Sequence, residues 1–119
     1  MIKNVSIIGA GISGLTAGCA LRKFGIETDI YEQSESITEF GAGITLSRNA
    51  TSLLNKLNVL EELVSLSYIP KKSYIRDYKT GKKITGMDFS GFIASDRRDV
   101  VKVLSKKYLE LGGNLHLSH

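Results

Sequence analysis

The sequence predicts an α/β fold built on a parallel sheet that opens with a strand, a tight turn, a helix and a second strand. Three observations carry this. An apolar run rich in β-branched residues, Val5-Ser6-Ile7-Ile8, leads directly into Gly9-Ala10-Gly11-Ile12-Ser13-Gly14. A segment of helical period follows the glycines and stops at Gly25. A second strand-like run, Glu27 to Glu32, comes next and ends in an acid 23 residues beyond Gly9. A Gly-x-Gly-x-x-Gly turn between strand and helix, with an acid at this distance, is the pattern of a Rossmann-like βαβ unit that binds a dinucleotide.

The turn residues have separate tasks. Gly9 lets the chain leave the strand sharply, Gly11 lets a pyrophosphate approach the backbone, and Gly14 lets the helix lie close to the strand. The first-turn amides, at Gly11 to Gly14 with Ala10 beside them, then face the phosphates. The helix dipole contributes only about 0.3–1 kcal/mol, so directed N–H bonds must do most of the holding. Glu32 is placed to accept hydrogen bonds from an adenosine ribose. Its charge would repel a 2′-phosphate, which disfavours NADP in this groove and leaves FAD or NAD. The motif alone does not choose between them.

The first helix is expected from Ser13 to Phe24, with Leu15, Cys19 and Ala20 or Leu21 toward the sheet and Arg22 and Lys23 at its C-terminal end, where cations suit the dipole. The segment Gln33 to Arg48 reads as a loop because it is polar and glycine-rich, with Phe40 to Leu46 lying against a ligand. Asn49 is the expected N-cap of a helix carrying Leu53, Leu54 and Leu57, and Val59 to Leu66 forms a second short helical stretch. Alternation from Ser73 to Tyr78 and from Lys83 to Met87, around Gly81, predicts an antiparallel hairpin inserted before the third parallel strand. The last helix is expected from Arg98 to Leu111, with Val100, Val101, Leu104 and Tyr108 inward. Gly112-Gly113 ends it, and Asn114 to Ser118 should be the third parallel strand. His116 and His119 show no nearby acid or cysteine in the sequence and read as structural.

Composition fits a small globular unit: 119 residues, 42% hydrophobic and 24% charged, with a single proline. Eleven of the sixteen Lys and Arg lie between Lys71 and Lys107, which accounts for the +4 net charge. They alternate with apolar residues and no aromatic stacking platform interleaves them, so a solvated basic face is expected and not a nucleic-acid surface. Cys19 is the only cysteine, which excludes an internal disulfide and fits a reducing, cytoplasmic setting. No run is long enough to span a membrane as a helix. The lysine and apolar stretch before Cys19 superficially resemble a lipoprotein signal, but the glycines interrupt the apolar region and belong to the turn motif.

Taken together, these stretches resemble the flavin-dependent aromatic hydroxylases, the single-component monooxygenases that include salicylate, para-hydroxybenzoate and ubiquinone-biosynthesis hydroxylases. Val5 to Leu15 is similar to that family's FAD-binding opening, and Glu32 to its ribose-binding acid. Gly41-Ala42-Gly43-Ile44-Thr45-Leu46-Ser47-Arg48-Asn49-Ala50 resembles its Gly-Ala-Gly-Ile-x-Leu-x-x-Asn-Ala stretch beside the flavin, and Arg97-Arg98-Asp99-Val100 its Arg-x-Asp-Leu element. The resemblance implies FAD as cofactor, NADH or NADPH as transient co-substrate, and a small aromatic substrate. It assigns cofactor contacts to Gly9, Ala10, Gly11, Ile12, Ser13, Gly14, Glu32, Gln33, Gly43 and Arg97, with Arg48 as a possible second arginine contact. It names no catalytic acid, base or metal ligand.

Family members are considerably longer, so residues 1–119 are expected to be the N-terminal portion of an FAD-binding domain. The remaining flavin motifs and the substrate sheet would follow His119. Two alternatives stay open at this point. One is a non-catalytic nucleotide-binding unit whose unpaired sheet edge favours self-association. The other is an FAD-dependent dehydrogenase or reductase sharing the same opening.

Overall fold

The computed structural model describes residues 1–37 and 41–119. Along the chain these form β1 (Asn4–Ile8), α1 (Ile12–Lys23), β2 (Glu27–Glu32), β3 (Gly43–Leu46), α2 (Arg48–Lys56), α3 (Leu60–Ser65), β4 (Lys72–Arg76), β5 (Lys83–Asp88), β6 (Ile93–Asp96), α4 (Arg97–Glu110) and β7 (Asn114–Leu117). β2 lies between β1 and β7, and all pairings in this sheet are parallel, as the βαβ reading requires. Ile7 sits opposite Ile30, and Tyr31 opposite His116.

One face of the sheet is covered by α1 and α4, which also pack on each other. The expected inward residues Leu15, Cys19, Val100, Val101, Leu104 and Tyr108 are all buried, together with Ile30 from β2. Close approach here depends on Gly18, where a Cβ would stand 2.7 Å from the Tyr108 ring and 3.0 Å from Ile30 Cδ1. The Tyr108 ring has no exposed surface, yet its hydroxyl is satisfied. It bonds Thr28 Oγ1 at 3.0 Å, the Thr28 carbonyl at 2.8 Å and the Asn114 carbonyl at 3.1 Å. One phenol thus fastens α4 to both β2 and β7. Arg22, near the end of α1, donates through Nε to the Leu111 carbonyl at 3.1 Å and through Nη2 to that of Gly112. The cation expected to suit the dipole therefore also clamps α1 to the C-terminal end of α4. Gly25, at φ +77°, ends α1 as expected, because a left-handed stop favours glycine.

Three local expectations are corrected. The segment from Gln33 to Arg48 is not all loop, because Gly43–Leu46 pairs antiparallel with Ile93–Asp96, Gly43 opposite Asp96 and Leu46 opposite Ile93. The antiparallel part is consequently two separate two-stranded sheets, β3 with β6 and β4 with β5. The helix assigned to an Asn49 cap starts two residues earlier than such a cap allows, at Arg48, with Ser47 in the N-cap position and no side-chain cap bond. At α4 the N-cap is Asp96, whose carboxylate accepts the Arg98 amide at 2.8 Å, so the helix includes Arg97. Phe40, the first residue of the expected ligand-side loop, lies outside the described residues.

Candidate cofactor site

The turn after β1 is held from two directions. The Gly9 amide donates to the Tyr31 carbonyl at 2.7 Å, continuing the β1–β2 pairing past the strand end. Gly9 has φ +98°, a conformation open to glycine and strained for other residues. Gly14 is required for a different reason: a Cβ there would lie 2.0 Å from the Gly9 carbonyl oxygen, so only glycine lets α1 start this close to the turn. Gly11 is the N-cap of α1, with ordinary extended geometry, and accepts the Leu15 amide at 3.0 Å. No side chain caps the helix and no acid stands in its first turn. The amides around Ile12, Ser13 and Gly14 therefore present the positive end of a twelve-residue helix that carries no acid in its own first turn.

Glu32 is joined to this turn directly. Its Oε2 accepts the Ala10 amide at 2.8 Å and its Oε1 accepts the Ser34 amide at 3.0 Å. The Ala10 bond, followed by the Ser34 bond, holds the carboxyl below its usual range, so Glu32 is anionic at neutral pH. Ala10 is buried, which makes its N–H costly to leave unpaired. Gln33 follows on the exposed side of the strand end.

Gly43 and Arg97 form a second group, on the β3–β6 sheet and the start of α4. The Arg97 amide donates to the Ala42 carbonyl at 3.0 Å, tying the helix start to the glycine segment. Gly43 faces open space, with no atom within 4 Å of where its Cβ would stand. Arg98 is engaged elsewhere. Its guanidinium pairs with both oxygens of Asp96 and lies 2.9 Å from where a Gly41 Cβ would be. That pairing, first through the side-chain bond, pulls Asp96 down to about 2.

Arg48 is not directed at the Gly41–Gly43 segment. It donates through Nε to the Ser90 carbonyl at 2.5 Å and lies 3.6 Å from Asp88, clamping the turn between β5 and β6. His116 also departs from expectation: its Nε2 is 2.9 Å from Asp29 Oδ1, and its ring stacks on Tyr31 at 4.6 Å. The partner acid comes from the neighbouring strand, invisible to a search along the sequence, and the His116 bond is the main cause holding Asp29 below its usual range. Cys19 is a buried thiol pushed up to about 11 by desolvation, with Sγ 3.6 Å from the Leu104 carbonyl. This is the expected structural role. Among the described residues no group of three metal-ligating side chains occurs, and no helix is long and apolar enough to cross a membrane.

Residues 7–39 match the NAD(P)-binding Rossmann-like domain family. Over 85 residues the chain is 35% identical to an FAD-dependent monooxygenase of Beauveria bassiana, covering 71% of this chain and 20% of that protein. It is 25% identical over 92 residues to the 6-hydroxynicotinate 3-monooxygenase of Bordetella bronchiseptica, covering 77% and 24%. The tetrameric 2-methyl-3-hydroxypyridine-5-carboxylic acid oxygenase superposes with a TM-score of 0.90 at 25% identity, over 98% of this chain and 31% of that one. The chain is similar to the N-terminal part of flavin-dependent aromatic hydroxylases. It spans between a fifth and a third of the length of these hydroxylases and oxygenases. The antiparallel segments are part of that shared architecture, since the superposition extends across them.

Proposed function

We propose that this chain forms the FAD-binding region of an NAD(P)H- and O2-dependent monooxygenase that hydroxylates an aromatic or related small molecule. The observation that carries the reading is Glu32, an anionic carboxylate fastened to the Ala10 amide beside an uncapped, acid-free helix N-terminus. A carboxylate offers about four lone-pair sites, and the Ala10 and Ser34 amides use two of them. The remaining sites suit ribose hydroxyls.

In this reading Gly11, Ile12, Ser13 and Gly14 hold the pyrophosphate through backbone amides, while Gly9 and Ala10, whose amides are taken by the Tyr31 carbonyl and by Glu32, shape the turn against the cofactor. Glu32, with Gln33 beside it, holds the ribose. Gly43 offers an uncluttered backbone on the flavin side, and Arg97 supplies a cation at the start of α4. FAD, when bound, supplies the redox and oxygen-activating chemistry, which is why no side chain here need act as a catalytic acid or base. The chain's own work is to bind and orient.

The test is a titration of the purified chain with FAD, followed by flavin absorbance and fluorescence, with NAD as competitor. Saturable FAD binding that NAD displaces poorly is expected; preference for NAD would overturn the FAD assignment. A second reading is a nucleotide-binding unit without turnover of its own. It expects negligible NAD(P)H oxidation by this chain with added FAD, and substrate-stimulated oxidation would remove it. Self-association belongs to the same reading, because among the described residues β1 pairs with β2 alone and Ile8 at its end is 85% exposed. A cytoplasmic location is supported by the single, buried cysteine, which can form no internal disulfide.

A further inference from the structure

The start of α4 holds the Gly41–Gly43 segment by more than backbone bonds. The Arg97 amide donates to the Ala42 carbonyl at 3.0 Å, and Gly43 stands opposite Asp96 in the β3–β6 pairing. Beside these contacts lies Arg98, a side chain to which neither the turn motif nor the Arg-x-Asp-Leu pattern gives a role. A Cβ at Gly41 would stand 2.9 Å from Arg98 Cζ, 3.0 Å from Nε and 3.0 Å from Nη2. Three nearly equal separations put that position over the flat face of the guanidinium, since a point beyond its edge would be farther from Cζ than from the two nitrogens. The Gly41 backbone therefore lies on the guanidinium as on a plate.

The plate is fixed at its edge. Arg98 Nε donates to Asp96 Oδ1 at 3.0 Å and to Oδ2 at 3.1 Å, and Nη2 donates to Oδ2 at 2.5 Å. Asp96 is held in turn, because its Oδ1 also accepts the Arg98 amide at 2.8 Å as the cap of α4. A free arginine crowded by a neighbour would swing into water at little cost. Here it would give up the bonds of its fork.

Stability does not account for this arrangement. The Arg98 and Asp96 side chains are 63% and 32% exposed, and ion pairs this open to solvent add little. What a two-toothed arginine–carboxylate pair adds is direction, because the planar fork is held in one orientation. The face so oriented bears on the chain two residues before Gly43, and the acid that orients it immediately precedes Arg97. The pair thus stands between the two groups assigned to the flavin side.

We propose that Arg98 is a positioning residue for the flavin side of the cofactor site: locked by Asp96, its guanidinium face sets the path of Gly41 to Gly43 and aligns Gly43 with the start of α4 at Arg97. Glycine at 41 matches the plate, having no Cβ to strike it. The proposal rests on the FAD reading above, which takes Gly43 and Arg97 as flavin-side contacts. It leaves the Gly9–Gly14 turn and Glu32, which serve the ADP half of the cofactor, untouched.

That division supplies the test. The full chain and its variants R98K, R98A, G41A and G41A/R98A are titrated with FAD and, separately, with ADP. Lysine keeps a positive charge opposite Asp96 and the amide cap but has no flat face. R98K is expected to retain the parent's urea midpoint and ADP affinity, to bind FAD about three- to thirtyfold more weakly, and to speed hydrogen exchange at the Arg97 amide with no ligand present. G41A should weaken FAD binding in the same way. The double variant should bind no more weakly than the poorer of the two single variants, because the added methyl and the plate act through one contact. FAD affinity unchanged in R98K, an equal loss of ADP affinity, unchanged exchange at Arg97, or additive losses in the double variant would overturn the proposal. A parent chain that binds FAD no more tightly than ADP would defeat the flavin-side reading itself and the proposal with it, a failure told apart by being present before any substitution.

Discussion

Replacing Glu32 separates two tasks that one carboxylate performs. In the unliganded chain, Glu32→Ala removes the acceptors of the Ala10 and Ser34 amides. Ser34 is exposed and its N–H can turn to water, but Ala10 is only 3% exposed and its N–H is left unpaired. An unsatisfied buried donor costs about 1–3 kcal/mol, and that is the expected loss of stability before any ligand is added. Glu32→Gln keeps one carbonyl oxygen, which can still meet Ala10, so its stability loss should be about 1 kcal/mol or less. On the ligand side, a hydrogen bond to a charged group contributes about 1.5–3 kcal/mol, so Glu32→Ala should weaken FAD binding by about 10- to 150-fold. Urea unfolding followed by circular dichroism gives the first quantity and quenching of flavin fluorescence gives the second. An alanine variant as stable as the parent would refute the bracing role. Unchanged FAD affinity in a folded variant would refute the ribose role.

Other perturbations probe separate parts of the structure. Tyr108→Phe leaves Thr28 Oγ1 and the Thr28 and Asn114 carbonyls without their shared buried partner, and is expected to cost about 1–3 kcal/mol by urea unfolding; a loss well under 0.5 kcal/mol would mean the phenol is not the brace. Gly18→Ala places a methyl 2.7 Å from the Tyr108 ring, an overpacking expected to cost about 1–3 kcal/mol. Gly43→Ala meets open space and should change stability by less than about 0.5 kcal/mol, while lowering FAD affinity if the cofactor lies there. The low value of Asp96, about 2, makes a pH prediction. Because its folded pKa lies below its unfolded one, its pairing with Arg98 stabilises the fold above about pH 4 and is lost as pH falls toward about 2. The urea midpoint of Asp96→Asn should accordingly fall less than that of the parent across this window.

The parts legible in the sequence are those in which neighbours along the chain determine the outcome. β1, α1 and β2 follow one another with short links, so the change from strand to helical period and the glycines between them carry the information. The hairpin from Lys72 to Asp88 is local in the same way, and the last helix shows its apolar stripe from Val100 to Tyr108. What escaped depends on distant pairing. β3 has only Ile44 and Leu46 as apolar strand residues, and its partner β6 lies about fifty residues further along, so glycines at 41 and 43 made it look like loop. The His116–Asp29 contact follows from the β2–β7 register, and Arg48 is drawn to the Ser90 turn by a contact of the same kind. At the site, the glycines and Glu32 were readable because their spacing reflects one compact turn. That Glu32 also braces Ala10 was not, because the spacing places the acid near the turn without fixing its first partner.

The most direct test of the cofactor-site account is an amide-resolved NMR titration of the full chain with FAD. The amides of Ala10 to Leu15 and of the residues flanking Glu32 should shift together and saturate with a single affinity, and Glu32→Ala should lower that affinity without moving the set of residues. Saturable binding that leaves these amides unmoved, and shifts another surface, would contradict the account.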